Sequence, residues 1–387
     1  MTNHEYNMFP GLYLKLHLNL LKFPCLNKSN NIKIEVEVLQ GEKLMLNSLV
    51  RTTRPLSNLS NFVVEELPII LSRVDSDITR ILLTRKTKKL VEEIEQKPIS
   101  DNIISLLDLT FLEAAFYTNY LEIPDKLISL TNIYASHFCI LPMLTYELLI
   151  MINPSQDLRL FTLKETGENE RLFYESHKKI EANITPLVTF ILRILIEDKY
   201  DQESLIQLRT LVPNIKATVE QMLELMSQMS TSEYNIFRRY LTKHPIRGFP
   251  GASGAYSALY PTLDQLLRTE IAEVRFKEEL LPQTQVTGMT NIVMYEKAKK
   301  WRIWNGQTMI AKLKNSDEPL KEDFIEVLNK IINAMVSFRQ KHLCAVAKHI
   351  PQVFEGKECG TGGIKDAPDF LKKAIEQTKK SKIMWHT

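Results

Sequence analysis

The amino-acid sequence predicts a mainly α-helical protein, in which a large all-helical domain follows a smaller, mostly helical N-terminal domain. From Asn61 onward the apolar residues recur mainly at the three- and four-residue spacing of helices. The chain of 387 residues is long enough for two domains, and we expect them to cover residues 1–165 and 166–387. Four prolines stand where such helices would end or kink: Pro98, Pro124, Pro154 and Pro213.

The first 60 or so residues have a different pattern. Short alternating stretches, such as Ile32 to Val38, lie among asparagines and prolines. Alternation over a few residues between turn-forming residues is typical of a strand or hairpin. We therefore expect a small strand or hairpin among loops before the helices begin.

Composition excludes several classes of protein. The hydrophobic share is 44 %, the charged share 25 % and the net charge only +3, so the chain is globular and lacks the concentrated positive field of a nucleic-acid-binding protein. The four cysteines are far apart without a Cys-x-x-Cys pair, which fits a reducing compartment. The longest apolar stretch, Ile184 to Ile196, contains Arg193 and is too short to span a bilayer. We expect a soluble, cytoplasmic protein with no nucleic-acid or membrane partner.

Two segments have especially regular apolar spacing, and each carries a histidine on its apolar face. We expect both histidines to face the interior, where they can line one cavity. The first stripe reads Phe173, His177, Ile180, Ile184, Leu187, Ile191 and Ile194. The second reads Phe324, Leu328, Ile331, Met335, Phe338 and His342.

From spacing alone, an interior histidine is more often a core residue than a metal ligand. Haem iron, however, needs one neutral imidazole nitrogen that projects from a rigid helix into an apolar cleft. His342 and His177 meet that requirement, and His349, one heptad after His342, meets it more weakly. Cys344 and Cys359 are thiolate alternatives, but no cysteine-centred haem signature surrounds either of them.

The segment from Ser230 to Glu233 has the pattern of a capping box that opens a short helix. Arg238 and Arg239 follow on this helix and point about 100° apart, so only one of them can face a pocket. Arginine usually lies at the surface. Arg238, one turn after Tyr234, is the better candidate for a bidentate grip on a substrate carboxylate.

Two glycine-rich segments follow. Phe249 to Ala255 is either a plain turn between helices or a loop whose small side chains let the backbone approach a flat ligand, with Ser253 as a hydrogen-bond donor. Gly360 to Gly363 has the permissive backbone of a lid over a pocket. The sequence has no P-loop, no dinucleotide-binding fingerprint and no His-Glu-x-x-His motif, so the common nucleotide and zinc enzymes lose support.

Taken together, these segments resemble the indoleamine 2,3-dioxygenase family, whose superfamily also holds tryptophan 2,3-dioxygenase and the ring-rearranging enzyme of pyrrolnitrin biosynthesis. The resemblance covers Leu141 to about Lys373 and consists of motifs in the family's order. These are Leu141-Pro-Met-Leu-Thr-Tyr146, Phe173-x-x-x-His177, Arg238-Arg-Tyr-Leu241, Gly251-Ala-Ser-Gly-Ala-Tyr-Ser257, the helix from Phe338 through His342 to Ile350, and Gly360-Thr-Gly-Gly363.

The resemblance implies a small N-terminal domain over a large helical domain that binds haem b, with His342 as the iron ligand. It also implies O2 and a small aromatic indole as substrates, with His177, Arg238 and Ser253 as catalytic residues. The residues implied to contact the haem are His342, Ala252, Ser253, Phe338 and Arg339. Those implied to contact the substrate are Tyr146, Phe173, His177, Tyr234, Arg238, Ser253, Gly254 and Thr361.

Two residues depart from the family's pattern. His177 stands where the indoleamine enzymes have serine and the tryptophan enzymes have histidine. Glu233 stands where the family has a phenylalanine that packs against the substrate, and an acidic group there would repel one indole or bind the amine of another.

Three hypotheses follow. The first is a dioxygenase that opens the pyrrole ring of tryptophan or a related indole. The second keeps the haem but changes the outcome to mono-oxygenation or ring rearrangement. The third, from another class, is a helical haem-binding or interaction protein without turnover. The oligomeric state stays open.

Overall fold

The computed structural model describes residues 52–73, 75–138, 140–248, 251–254, 257, 259–267, 309–360, 363 and 366–382. These residues form helices, turns and connecting segments without a strand, so the mainly α-helical fold class is confirmed. The hairpin expected around Ile32 to Val38 and the lid residue Thr361 lie outside the described residues.

Twelve α-helices make up most of the described part of the chain. They are α1 (Asn58–Asn61), α2 (Leu67–Leu71), α3 (Ser76–Glu95), α4 (Ile104–Thr118), α5 (Asp125–Phe138), α6 (Lys164–Glu197), α7 (Gln202–Gln228), α8 (Thr231–Phe237), α9 (Leu259–Leu267), α10 (Met309–Lys314), α11 (Lys321–His349) and α12 (Ala367–Lys380). Short π-helical turns cover Phe62–Glu66 and Glu147–Ile152, and 3-10 turns cover Ser155–Asp157, Arg238–Leu241 and Pro351–Val353.

Helix ends follow local chemistry at several places. The Asp75 side chain accepts hydrogen bonds from the first turn of α3, and Asp201 does the same for α7. Pro98, Pro124 and Pro154 lie outside the α-helices, as predicted. Pro213 does not end a helix, because α7 continues through it.

The long helix α6 connects two hydrophobic clusters. One cluster is built mainly from residues 56–174 and includes Tyr174 of α6, and the other contains the stripe from Ile184 to Leu195 of the same helix. The boundary expected after residue 165 thus falls at the start of a helix that both clusters share. In the second cluster α6 packs along α7, and α11 packs against α7 and α12.

Both regular stripes predicted from the sequence are helical. The residues of α6 from Ile180 to Ile194 that were placed on the apolar face are buried, as are those of α11 from Phe324 to Phe338. His177 and His342 lie at the ends of these stripes, where the two hydrophobic clusters give way to a small third one formed by Ile180, Met222 and Phe338.

A buried ion pair joins α4 to the segment before α6. Arg159 Nε donates to Asp108 Oδ1 at 2.8 Å, and neither side chain has any exposed surface. Ser60 donates to the other carboxylate oxygen at 2.6 Å, and Arg159 also donates to backbone carbonyl groups of Thr53 and Asp157. Removal of one partner of such a pair is strongly destabilising, because the other charge is then buried without compensation.

Replacing Arg159 by Met is expected to lower the free energy of unfolding by about 3–5 kcal/mol, because the Asp108 carboxylate is left buried without its counter-ion. Urea denaturation measures the effect. The matched control is Arg80→Met, which breaks an exposed 3.1 Å pair with Asp77 and should cost less than about 1 kcal/mol. Equal losses in the two variants would show that the buried pair has no special role.

Candidate functional site

A cavity of about 210 Å³ lies between α6, α7, α9, α11 and α12. Nine of the residues that the resemblance assigns to haem or substrate line it, so motifs that are far apart in the chain meet at one place. They are Tyr146, Phe173, His177, Tyr234, Ser253, Gly254, Phe338, Arg339 and His342.

His177 projects into this cavity from α6 with a defined proton position. Its Nδ1 lies 2.8 Å from the carbonyl oxygen of Phe173, and since a carbonyl can only accept, Nδ1 carries the proton. The neutral ring therefore keeps a lone pair on Nε2. Burial lowers the pKa of His177 to about 4, partly opposed by this hydrogen bond, so the ring is neutral at pH 7.

His342 lines the same cavity from α11. Burial, together with the nearby His177 and Arg339, lowers the pKa of His342 to about 4, so this ring is also neutral at pH 7. Within the described segments neither of its ring nitrogens has a hydrogen-bond partner. A neutral imidazole with unengaged nitrogens in an apolar cavity is the form that binds iron.

His349 is the third histidine of the cavity and ends α11. Its Nδ1 lies 3.1 Å from the Thr231 hydroxyl, while its buried Nε2 has no hydrogen-bond partner among the described residues. Burial lowers its pKa to about 4 as well. An outer hydrogen bond on one ring nitrogen and an open second nitrogen are compatible with metal ligation, so His349 stays an alternative ligand candidate to His342.

The glycine-rich loop forms part of the cavity wall, and its two described glycines have different roles. A Cβ on Gly251 would lie 2.0 Å from the Leu241 carbonyl oxygen and 2.3 Å from that of Thr242, so only glycine fits there. A Cβ on Gly254 would lie 3.6 Å from the His177 ring, an ordinary contact. Gly251 thus anchors the loop, while Gly254 leaves free space beside His177.

Arg339 and Phe338 support the wall next to His342. Arg339 forms a 2.7 Å ion pair with Asp264 of α9 and donates to the Thr378 hydroxyl on α12. Phe338 stacks on Tyr260 with ring centroids 4.5 Å apart. The guanidinium that the resemblance assigns to the cofactor is therefore already held by a carboxylate.

Three expected residues are placed elsewhere. Arg238 does not line the cavity, since its guanidinium pairs with Glu358 and donates to the Cys359 carbonyl at 3.3 Å. Ala252 is buried in the loop behind Ser253 without reaching the lining. Glu233 does not belong to the described lining and accepts a hydrogen bond from Thr166, so in this arrangement its carboxylate has a partner on α6, and the effect of its charge on a substrate stays a prediction.

The same contact corrects the capping box. Ser230 precedes α8 as predicted, but its side chain does not cap the helix and instead lies 2.9 Å from the Ser232 hydroxyl. Glu233 cannot close the box because Thr166 on α6 holds its carboxylate. A tertiary contact has replaced the local one.

Several lining residues were missed in the sequence. Met222 and Met226 of α7 and Met229, the residue after its end, lie along one wall, and α12 contributes Phe370 and Leu371. Glu181, one turn after His177, is the least expected. It follows His177 by four residues, so helical spacing predicts that the two side chains share a face. A glutamate on an otherwise apolar face, however, was not among the predicted site residues.

Glu181 is a buried carboxyl group held by neutral donors. The Tyr146 hydroxyl donates to its Oε1 at 2.9 Å, and the Ser257 hydroxyl lies close to the same carboxyl group. Burial raises the pKa of Glu181 to about 7, and these two hydroxyl groups oppose the rise. The carboxyl group thus changes its charge near neutral pH.

The residues present fit a haem in chemistry more clearly than in size. Neutral histidines, a mostly apolar lining and the open space beside Gly254 agree with a flat apolar cofactor. The volume lies below the roughly 300–1000 Å³ of small-molecule sites, so a macrocycle has to displace lining side chains. The three methionines are unbranched and can repack at low cost.

Other features of the described residues bear on the alternatives. Cys344 and Cys359 are free thiols, and neither lines the cavity, so a cysteine ligand loses support. No group of three or more His, Cys, Asp or Glu side chains in the described ranges can hold a metal ion, but haem iron requires only one protein ligand. No described helix is long and apolar enough to cross a membrane.

Neither a scan against models of known protein families nor a search of curated proteins finds a match for this sequence. The resemblance to the indoleamine 2,3-dioxygenases therefore depends on the motifs in the sequence. What the fold adds is that most of these motifs line one cavity.

Replacing Gly251 by Ala should lower the free energy of unfolding by about 1–3 kcal/mol, because the added methyl group meets two backbone carbonyl groups that cannot move independently. Gly254→Ala is the matched control and should stay within about 0.5 kcal/mol of the parent protein. Urea denaturation checks both values. A stable Gly251→Ala variant would mean that the loop does not pack against Leu241 and Thr242.

His177 should make the protein less stable in mild acid. Its pKa is about 4 in the folded protein, against an ordinary value of 6.5 for a solvated histidine. The unfolded chain therefore binds more protons between these values, and stability falls as the pH drops from 6.5 toward 4. From pH 7 to pH 5 the loss from this group is about 1–2 kcal/mol. Unfolding of the parent protein and of His177→Leu at both pH values tests this, and the variant should lose less. Equal losses would mean that His177 titrates normally.

Proposed function

We propose that this chain is a haem-dependent oxygenase that oxidises tryptophan or a related indole with O2, with the haem iron held by His342. The observation that carries the proposal is that two neutral histidines, on α6 and α11, line one largely apolar cavity. One imidazole can hold the cofactor while the other contacts the substrate. Bound haem would supply the iron that activates O2.

His342 suits the role of ligand because α11 is a continuous helix of 29 residues whose apolar stripe is packed against α7 and α12. A rigid helix fixes the direction of the imidazole, and the neutral ring needs no deprotonation before it binds a metal. Phe338, one turn earlier, is held by its stack on Tyr260 and would form the adjoining wall.

His177 suits the role of hydrogen-bond acceptor for the indole. Since Nδ1 donates to the Phe173 carbonyl, the free lone pair is on Nε2, the atom that faces Gly254. An indole N–H is a donor only and would match this lone pair. The missing side chain at Gly254 leaves space where that donor has to approach.

Aromatic side chains would orient the indole ring. Phe173 lies 4.2 Å from His177, 5.7 Å from Tyr234 and 5.6 Å from Phe237, measured between ring centroids. Such a cluster favours a planar apolar substrate and excludes water from it. Holding the substrate in one orientation next to the cofactor contributes through proximity.

Arg238 can bind a substrate carboxylate only after it exchanges its present partner. Its guanidinium pairs with Glu358 at the edge of the cavity, beside Gly360, which belongs to the lining. In this arrangement Arg238 holds the Glu358–Gly360 segment against α8. Ser253 lies in the lining, within reach of a ligand in the cavity.

Haem titration and turnover test the proposal. With haem supplied, the parent protein should give the ferric and ferrous spectra of a histidine-ligated haem, and His342→Ala should lose them with an affinity reduced by about tenfold or more. The matched control is His349→Ala, which removes another cavity histidine and should keep the spectra. Retention of the histidine-ligated spectrum in His342→Ala would move the ligand to another residue.

Turnover then distinguishes the possible reactions. Oxygen-dependent conversion of tryptophan to N-formylkynurenine by the haem-loaded protein supports ring opening. Consumption of an indole without that product points to mono-oxygenation or rearrangement. Tight haem binding without loss of any indole or O2 would contradict enzymatic activity and leave a haem-binding protein.

A further inference from the structure

We propose that Glu181 binds the ammonium group of the substrate, so that the cavity prefers an arylalkylamine to an aromatic acid. The inference deepens the proposed function and depends on it, because it names the substrate class of the same cavity. It is independent of Glu233, the acidic residue that the sequence had suggested for such a role, which lies outside the lining.

The described lining of the cavity contains more carboxyl groups than permanent cations. The carboxyl groups in the described lining belong to Glu181 and Asp264, and the permanent cation is Arg339. Arg339 lies 2.7 Å from Asp264 and is engaged with it. Glu181 is therefore the carboxyl group of this lining for which the described residues provide no counter-ion.

Most elements around Glu181 present neutral or acidic groups to it, and the cation of α11, Arg339, is paired with Asp264. The π-helical turn that follows Tyr146 contributes the Tyr146 hydroxyl and, nearby, the acidic Glu147. The loop contributes Ser257, and α9 contributes Tyr260. On α6 itself the neighbour one turn earlier is the neutral His177, and the lining residues of α7 and its C-terminal end are not titratable: Met222, Leu225, Met226 and Met229.

One carboxylate oxygen remains available. Tyr146 donates to Oε1, while the buried Oε2 has no hydrogen-bond partner in the described part of the chain. Glu181 is only 3 % exposed, so water does not replace the missing donor freely. A buried carboxylate without a donor or counter-ion costs free energy, which a ligand can recover by supplying both.

A primary ammonium group supplies both at once. It carries three N–H donors and a positive charge, and its hydrogen bonds to a carboxylate are stronger than those between neutral groups. Tyr146 and Tyr260 lie near Glu181, and aromatic rings beside a carboxylate can add to the attraction of a cation. A ligand carboxylate in the same place would meet a like charge, and Arg238 is held outside by Glu358.

Binding of an amine should be linked to the ionisation of Glu181. Since burial raises its pKa to about 7, part of the protein has a neutral Glu181 at pH 7, and an ammonium ligand selects the ionised form. Below about pH 7, the affinity for the amine should then increase with pH, by up to about tenfold for each pH unit. Above about pH 7 it should level off. Amines of this kind remain charged throughout, as the lysine side chain does.

The experiment compares three ligands with the same indole ring on the haem-loaded protein: tryptamine, indole-3-propionate and tryptophan. Calorimetry at pH 7.5 should give tryptamine an affinity at least about tenfold higher than that of indole-3-propionate. In Glu181→Gln this ratio should collapse to about one, and the pH dependence below pH 7 should disappear. Glu175→Gln, on the outer face of α6 where Glu175 pairs with Lys178, is the matched control and should retain both.

Glu181→Asp guards against a loss caused by misfolding, since it keeps the charge and should keep the preference for the amine at a lower affinity. Equal or tighter binding of indole-3-propionate by the parent protein would overturn the inference, as would an unchanged preference in Glu181→Gln. Either result with an intact histidine-ligated haem spectrum contradicts the role of Glu181 alone. Loss of that spectrum in the parent protein would instead contradict the proposed function.

Discussion

Burial of polar groups around one mostly apolar cavity is the constraint on which the polar chemistry of this protein depends. Burial keeps His177, His342 and His349 neutral at pH 7 and brings the Glu181 carboxyl group close to half ionisation. In water the same carboxyl group would be fully charged and the imidazoles partly charged. The environment, more than residue identity, therefore determines which groups can bind a metal, accept a proton or meet a cation.

The helices make this environment possible because they deliver the polar groups from well-packed surfaces. α6 is anchored in one hydrophobic cluster near Tyr174 and in another beyond Ile184, and the cavity opens between these two points. α11 is buried along its first five turns and presents His342 only near its end. Packing along the rest of each helix fixes the direction in which these polar side chains leave it.

The sequence predicted what periodicity controls and missed what tertiary contacts control. The helical class and the cavity positions of His177 and His342 follow from apolar spacing alone. The placement of Arg238 and Glu233 does not, because Glu358 and Thr166 approach from distant parts of the chain. Glu181 was overlooked for the opposite reason: helical spacing placed it beside His177, but a carboxyl group on an apolar face contradicts the usual cost of burial.

The ion pair between Arg238 and Glu358 makes the cavity's edge sensitive to ligand charge. One guanidinium cannot serve two carboxylates fully, so an acidic ligand that recruited Arg238 would detach the backbone at Cys359 from α8. A cationic ligand would leave the ion pair between Arg238 and Glu358 intact. Acidic ligands would loosen the segment next to Gly360, whereas amines would leave it in place. The rates at which the two classes of ligand enter and leave the cavity would then differ even where their affinities are the same.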